Sequence, residues 1–114
     1  MTANEYQLEA MRTAYGMKCD DDMGMLLMMG VMGLCGESGE AIDLVKKGLF
    51  QGHEMDKKHL ALELGDVAWY LAVAAFALGY TLEDVMRMNV DKLRKRYPDG
   101  FEVERSVHRE EGDV

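Results

Sequence analysis

Two short stretches repeat one arrangement of acids. Glu37-Ser38-Gly39-Glu40-Ala41 and Glu63-Leu64-Gly65-Asp66-Val67 both read Glu-x-Gly-acid-small apolar. Acids three apart on a helix are neighbours and repel each other by about 0.2–0.5 kcal/mol. At about 100° per residue, with Leu34 as origin, Ala41 and Val45 fall within about 20° of it, Glu37 near about −60° and Glu40 near about −120°. With Leu60 as origin on the other stretch, Val67, Leu71 and Leu78 lie within about 20°, and Glu63 and Asp66 take the same two offsets. Each helix therefore sinks one carboxylate into its apolar stripe and sets a second on the rim. A buried carboxylate needs protonation, a partner or a metal.

No Lys or Arg lies inside either stripe, because Lys46, Lys47, Lys57 and Lys58 sit at helix ends. A hard divalent cation suits four carboxylate donors: Mg²⁺ or Mn²⁺ takes oxygen ligands and keeps waters that exchange for phosphate oxygens. A ferritin-like di-iron site needs two Glu-x-x-His pairs. Asp56 to His59 is the one acid-x-x-His match, and it falls near a helix start. A lone Glu-x-x-Glu is ordinarily a solvated face. Two copies at the same angular offset, each with glycine between the acids, favour a metal site. Gly30, Gly33, Gly36 and Gly39 recur every third residue, where each costs up to about 1 kcal/mol against alanine. Close approach of another helix explains them most simply, and room for a ligand is the alternative.

Four helices must position these groups. Thr2-Ala3-Asn4-Glu5 has the form of a capping box and opens a first helix to about Tyr15. Gly16 to Gly24 reads as a loop, followed by a helix from about Met25 to Gly48, with Lys46 and Lys47 complementing its dipole and Gly48 as the terminating glycine. The third helix starts near Asp56 as N-cap and ends at Leu78 before Gly79. Thr81 precedes two acids in the first turn of a fourth, which Tyr97-Pro98-Asp99-Gly100 stops. The expected fold is all-α and four-helix-bundle-like, a single domain over residues 1–101. A polar tail over 102–114, loosely held, has enough alternation after Phe101 for a short extended segment.

The third helix is apolar on every side from Ala68 to Leu78. Such a helix is buried all round, so a partner subunit is expected over its Trp69 side, in a homodimer or homotetramer. The 114 residues carry 21 acids against 13 Lys and Arg, a formal charge of −8. That balance argues against nucleic-acid polymers as partners. The longest strongly apolar run, Val67 to Leu78, is shorter than the roughly 20 residues a membrane span needs. No signal-peptide pattern opens the chain, and Cys19 and Cys35 match no zinc or disulfide spacing. A cytoplasmic location with reduced thiols is expected.

At these residues the chain resembles the MazG-like nucleoside triphosphate pyrophosphohydrolases, of the all-α NTP pyrophosphatase superfamily. The family's Glu-x-x-Glu on one helix and Glu-x-x-Asp on the next are matched by Glu37, Glu40, Glu63 and Asp66. The likeness runs from about Leu34 to Phe101. It includes an ending common among small MazG-like proteins, Asn89-x-x-Lys92-Leu93-Arg94-x-Arg96-Tyr97-Pro98-x-Gly100-Phe101.

The resemblance implies Mg²⁺-dependent hydrolysis of an NTP or dNTP between the α and β phosphates, giving a monophosphate and pyrophosphate, with the four acids as metal-binding and catalytic residues. Positive groups should meet the remaining phosphate oxygens. Lys92 and Arg96 share a face of the fourth helix, with Asn89 one turn earlier. Trp69, Tyr70 or Tyr97 offer aromatic faces to a base, although core packing explains each more simply. Tyr97 completes the candidate substrate-binding set. The competing reading is a catalytically silent nucleotide-binding or protein-interaction module of the same fold.

Overall fold

The computed structural model describes residues 1–114 and is helical throughout, without strands. Its elements are α1 (Ala3–Ala14), α2 (Met23–Phe50), α3 (Lys57–Ala77), α4 (Leu82–Arg96) and α5 (Val103–Val107). The chain divides into two compact units, Met1–Leu82 and Glu83–Val114.

Helix starts follow local chemistry. Thr2 and Glu5 form the reciprocal capping box, with the Glu5 N–H donating to Thr2 Oγ1 at 3.1 Å and the Thr2 N–H to Glu5 Oε2 at 2.6 Å. Asp56 caps α3 by accepting from the His59 N–H at 2.9 Å. Asp22 accepts from the Met25 N–H at 3.0 Å, so α2 begins at Met23, ahead of the expected start at Met25.

Helix ends are less local. Gly79 does terminate α3, at φ +80°, with the Tyr80 N–H returning to the Ala75 carbonyl at 3.0 Å. Gly48 does not terminate α2. The helix continues to Phe50 and Gly52 takes the left-handed conformation at φ +71°. Gly48 instead serves packing, where a Cβ would meet the Met55 side chain at 3.2 Å. Lys46 and Lys47 are thus held one turn back, on the Asp43 carboxylate at 2.8 and 2.5 Å.

In the first unit α3 lies antiparallel along α2. Gly30 meets Ala74 and Gly33 meets Tyr70, while Gly48 meets Met55 just before α3 begins, so numbers fall along one helix as they rise along the other. Helix α1 covers another side of α3. Met11, Ala14, Leu26 and Val73 form one buried cluster, and Ala10, Ala72 and Leu82 a second. Trp69 packs against both, and its indole N–H donates to Thr13 Oγ1 at 2.8 Å. The Trp69 side expected to meet a partner subunit is therefore covered by α1. Exposed apolar residues occur on several helices, among them Met25, Met28, Val31 and Met32 along α2.

By length and composition, α2 and α3 are each long and apolar enough to cross a membrane. Counting only the run from Val67 to Leu78 misses this, because the helices extend well beyond it. Both helices also carry carboxylates, Glu37 and Glu40 on α2 and Glu63 and Asp66 on α3. In a bilayer such groups would demand surroundings lined by protein or water.

In the second unit the tail is exposed along most of its length, helical where an extended segment was allowed for, and tied at its end. Residues Val103–Val107 form α5. Asp113 accepts two hydrogen bonds from the Arg96 guanidinium, at 2.7 and 2.6 Å, and the Val114 carbonyl accepts a third at 3.1 Å. A bidentate, charge-assisted pair of this kind fixes geometry better than a single bond between mobile surface charges.

Candidate active site

The antiparallel register brings the two acid motifs together. Glu37 of α2 and Glu63 and Asp66 of α3 present carboxylate oxygens that all lie within 4.8 Å of one another. Glu63 is buried, at 9% exposure, Glu37 is half-buried and Asp66 is exposed. Glu40 is exposed on the rim beside Glu63 and stays outside the group of three. Its charge still reaches the cluster. Desolvation first, and then Glu40, Asp66 and Glu63, raise the Glu37 carboxyl above the ordinary glutamate range.

The glycine run divides between the two functions considered for it. Gly30 and Gly33 are packing positions. A Cβ at Gly30 would press on the Ala74 backbone at 3.0 Å, and one at Gly33 would overlap the Tyr70 ring. Gly36 and Gly39 meet nothing within 4 Å and border an open cleft of about 420 Å³, together with Glu40, Asp43, Lys47, His59 and Glu63. Small residues thus let the helices close at one end and keep space beside the acids at the other.

His59 is the residue that sequence reasoning passed over. Its Nε2 lies 2.9 Å from Glu63 Oε1. The signal was available in the spacing of His59 and Glu63, i and i+4 on one helix face. Lys47 also borders the cleft, engaged by Asp43. Hydrogen bonds from Lys46 and Lys47 hold the Asp43 carboxyl down to about 2. From α1, the Tyr6 hydroxyl donates to the Gly65 carbonyl at 3.3 Å, bracing the turn between Glu63 and Asp66.

The candidate phosphate-binding residues belong to the second unit. Asn89 and Lys92 are exposed on α4, and Arg96 and Tyr97 are half-buried. Lys92, Lys95 and Arg96 line a cavity of about 220 Å³ with Glu110, Asp113 and neighbouring tail residues. Arg96 is occupied by Asp113, whose carboxyl it holds below the ordinary range through those hydrogen bonds. The Tyr97 and Phe101 rings pack at 5.3 Å, and the Arg96 guanidinium lies over Tyr97 at 5.8 Å.

Fold and site together define an all-α domain with a carboxylate cluster between two antiparallel helices. Residues 29–101 match the MazG nucleotide pyrophosphohydrolase domain, and the chain belongs to that family. It is also 36% identical, over 103 residues, to the Gene 37 protein of Mycobacterium phage L5, covering 84% of this chain and 89% of that protein. No solved structure matches the chain at a significant level.

The donor set fits a hard divalent cation: three carboxylates converge, none held by Lys or Arg. Without a cation their crowding opposes folding, and the sign of the pH dependence follows. A raised Glu37 favours the protonated fold, so its contribution is present below the ordinary glutamate range. That contribution is lost as pH rises through the raised value. In EDTA at neutral pH, Glu37→Gln is expected to melt about 1–3 °C above the parent chain. The gap should close at acid pH. Thermal melts at two pH values check this.

Proposed function

We propose that this chain is a Mg²⁺-dependent nucleoside triphosphate pyrophosphohydrolase, cleaving an NTP or dNTP between the α and β phosphates to release a monophosphate and pyrophosphate. The observation that carries the reading is the convergence of Glu37, Glu63 and Asp66 within 4.8 Å at a partly buried helix seam, beside an open cleft. Family membership supports it.

Glu37, Glu63 and Asp66 would hold the metal, with Glu40 at the rim. A bound divalent ion supplies charge neutralisation at phosphate oxygens and a more acidic water. A carboxylate oxygen not engaged by metal is suited to orienting or deprotonating the attacking water. Asn89, Lys92, Arg96 and Tyr97 are the proposed substrate contacts, and Arg96 must exchange Asp113 for phosphate to take part. The proposed setting is a cytoplasmic nucleotide pool. Assembly as a homodimer or homotetramer is proposed as well, supported by the exposed Met25, Met28, Val31 and Met32 face of α2.

A panel of canonical and damaged nucleotides, assayed with Mg²⁺ or Mn²⁺ for pyrophosphate and monophosphate together, tests the reaction. Equimolar release of the two from at least one triphosphate is expected. Orthophosphate as the product, or no turnover on any member of the panel, overturns it. A chain that still binds nucleotide without turnover would be the silent module instead.

A further inference from the structure

Resting on the reading that these acids hold a divalent cation, we propose that His59 is a positioning residue, fixing Glu63 in the orientation that metal binding needs. Glu63 is the most buried member of the cluster and faces two other carboxylates. Left to itself, a flexible glutamate in that position would turn away from its neighbours, into the cleft that opens beside it. The His59 imidazole opposes this rotation, because Nε2–H donated to Oε1 at 2.9 Å ties one carboxylate oxygen and so restrains the side chain. The bond needs only a proton on Nε2, which the neutral ring of that tautomer and the cation both have.

The backbone that carries the imidazole is anchored. The His59 backbone N–H is bonded to the Asp56 cap at 2.9 Å, so the first turn of α3 is fixed one turn before Glu63. Its side chain is half exposed and borders the cleft with Glu40, Asp43 and Lys47 of α2. None of those three forms an ion pair with it; Lys47 is paired with Asp43 and not with Glu63. Ligand-orienting hydrogen bonds of this kind characteristically change metal affinity by about 10–100-fold when removed.

Mn²⁺ alone, without nucleotide, is the probe, read by calorimetric titration and by the rise in melting temperature. His59→Phe keeps a flat ring without the donor, and His59→Gln restores an N–H near the same place. Mn²⁺ affinity is expected to fall by about 10–100-fold in His59→Phe and to recover mostly in His59→Gln. In turnover assays the metal concentration for half-maximal rate should rise in His59→Phe, while kcat at saturating Mn²⁺ and the nucleotide KM stay near the parent values. If His59→Phe does not fold, His59→Ala carries the same expectation. Parent-like Mn²⁺ affinity in the donor-less variant, or no recovery in His59→Gln, overturns the role of His59 while leaving the metal site intact. A parent chain with no Mn²⁺ response overturns both.

Discussion

Glu63→Gln is expected to reduce pyrophosphate release by on the order of a thousandfold or more, about 4 kcal/mol of lost transition-state stabilisation, while leaving the helices intact. The substitution is nearly isosteric, so the packing of this 9%-exposed side chain survives. The negative charge does not, and one amide oxygen is a poorer ligand for a hard cation than a carboxylate. The His59 contact also changes, because Nε2–H would then face either an amide oxygen or an amide N–H. Circular dichroism should be unchanged and metal-free melting unchanged or higher, since Glu37 and Asp66 lose a like-charged neighbour. Steady-state assays at saturating Mg²⁺ separate the outcomes. Activity within tenfold of the parent would remove Glu63 from the metal centre. A loss reversed by raising Mg²⁺ tenfold would make its role affinity rather than chemistry.

Replacing Gln7 should have the largest effect on stability. Its side chain is 7% exposed and makes three contacts. The amide nitrogen donates to the Ala72 and Tyr80 carbonyls, both at 3.1 Å, and the amide oxygen accepts from the Leu82 N–H at 3.1 Å. One residue of α1 thus joins the body of α3, the turn after Gly79, and the first residue of α4. Gln7→Leu would fill comparable volume but leave the buried Leu82 N–H without its acceptor, at about 1–3 kcal/mol, and take a donor from the part-buried Tyr80 carbonyl, at about 1 kcal/mol. A total near 2–4 kcal/mol is a large share of the roughly 5–15 kcal/mol by which a domain is stable. The midpoint should fall by about 10–20 °C. Gln7→Glu should be worse, because a carboxylate oxygen would replace the amide N–H that faces two carbonyls. Urea melts of both variants check the order. A change under about 0.5 kcal/mol in Gln7→Leu, the range of ordinary surface substitutions, would mean that water replaces the amide.

Much of the local architecture was legible because local chemistry produces it. The Thr2–Glu5 box, the Asp56 cap and the Gly79 terminator each involve residues within a few positions of one another. Periodicity placed Glu37 and Glu63 inside apolar stripes, and both are less exposed than Glu40 and Asp66. Features set by distant residues were not legible. Gln7 reads as one more polar residue until Ala72, Tyr80 and Leu82 surround it. Arg96 reads as a free cation until Asp113 reaches it from 17 residues away. The alternation after Phe101 that would allow an extended segment belongs instead to the short helix α5.

Local chemistry along the chain sets where helices start, which face of each is apolar, and that each long helix carries two acids at matching angles. Those follow from backbone hydrogen bonding and from a period of about 3.6 residues. The slide of α2 against α3 emerges from packing alone, since a wheel gives an angle about one axis and no height along its neighbour. That register selects Glu37, Glu63 and Asp66 as the converging three and leaves Glu40 at the rim. It also sets Gly30 and Gly33 against Ala74 and Tyr70 while Gly36 and Gly39 open onto the cleft. The backbone approach permitted at one end of the helix pair fixes where the carboxylates meet at the other.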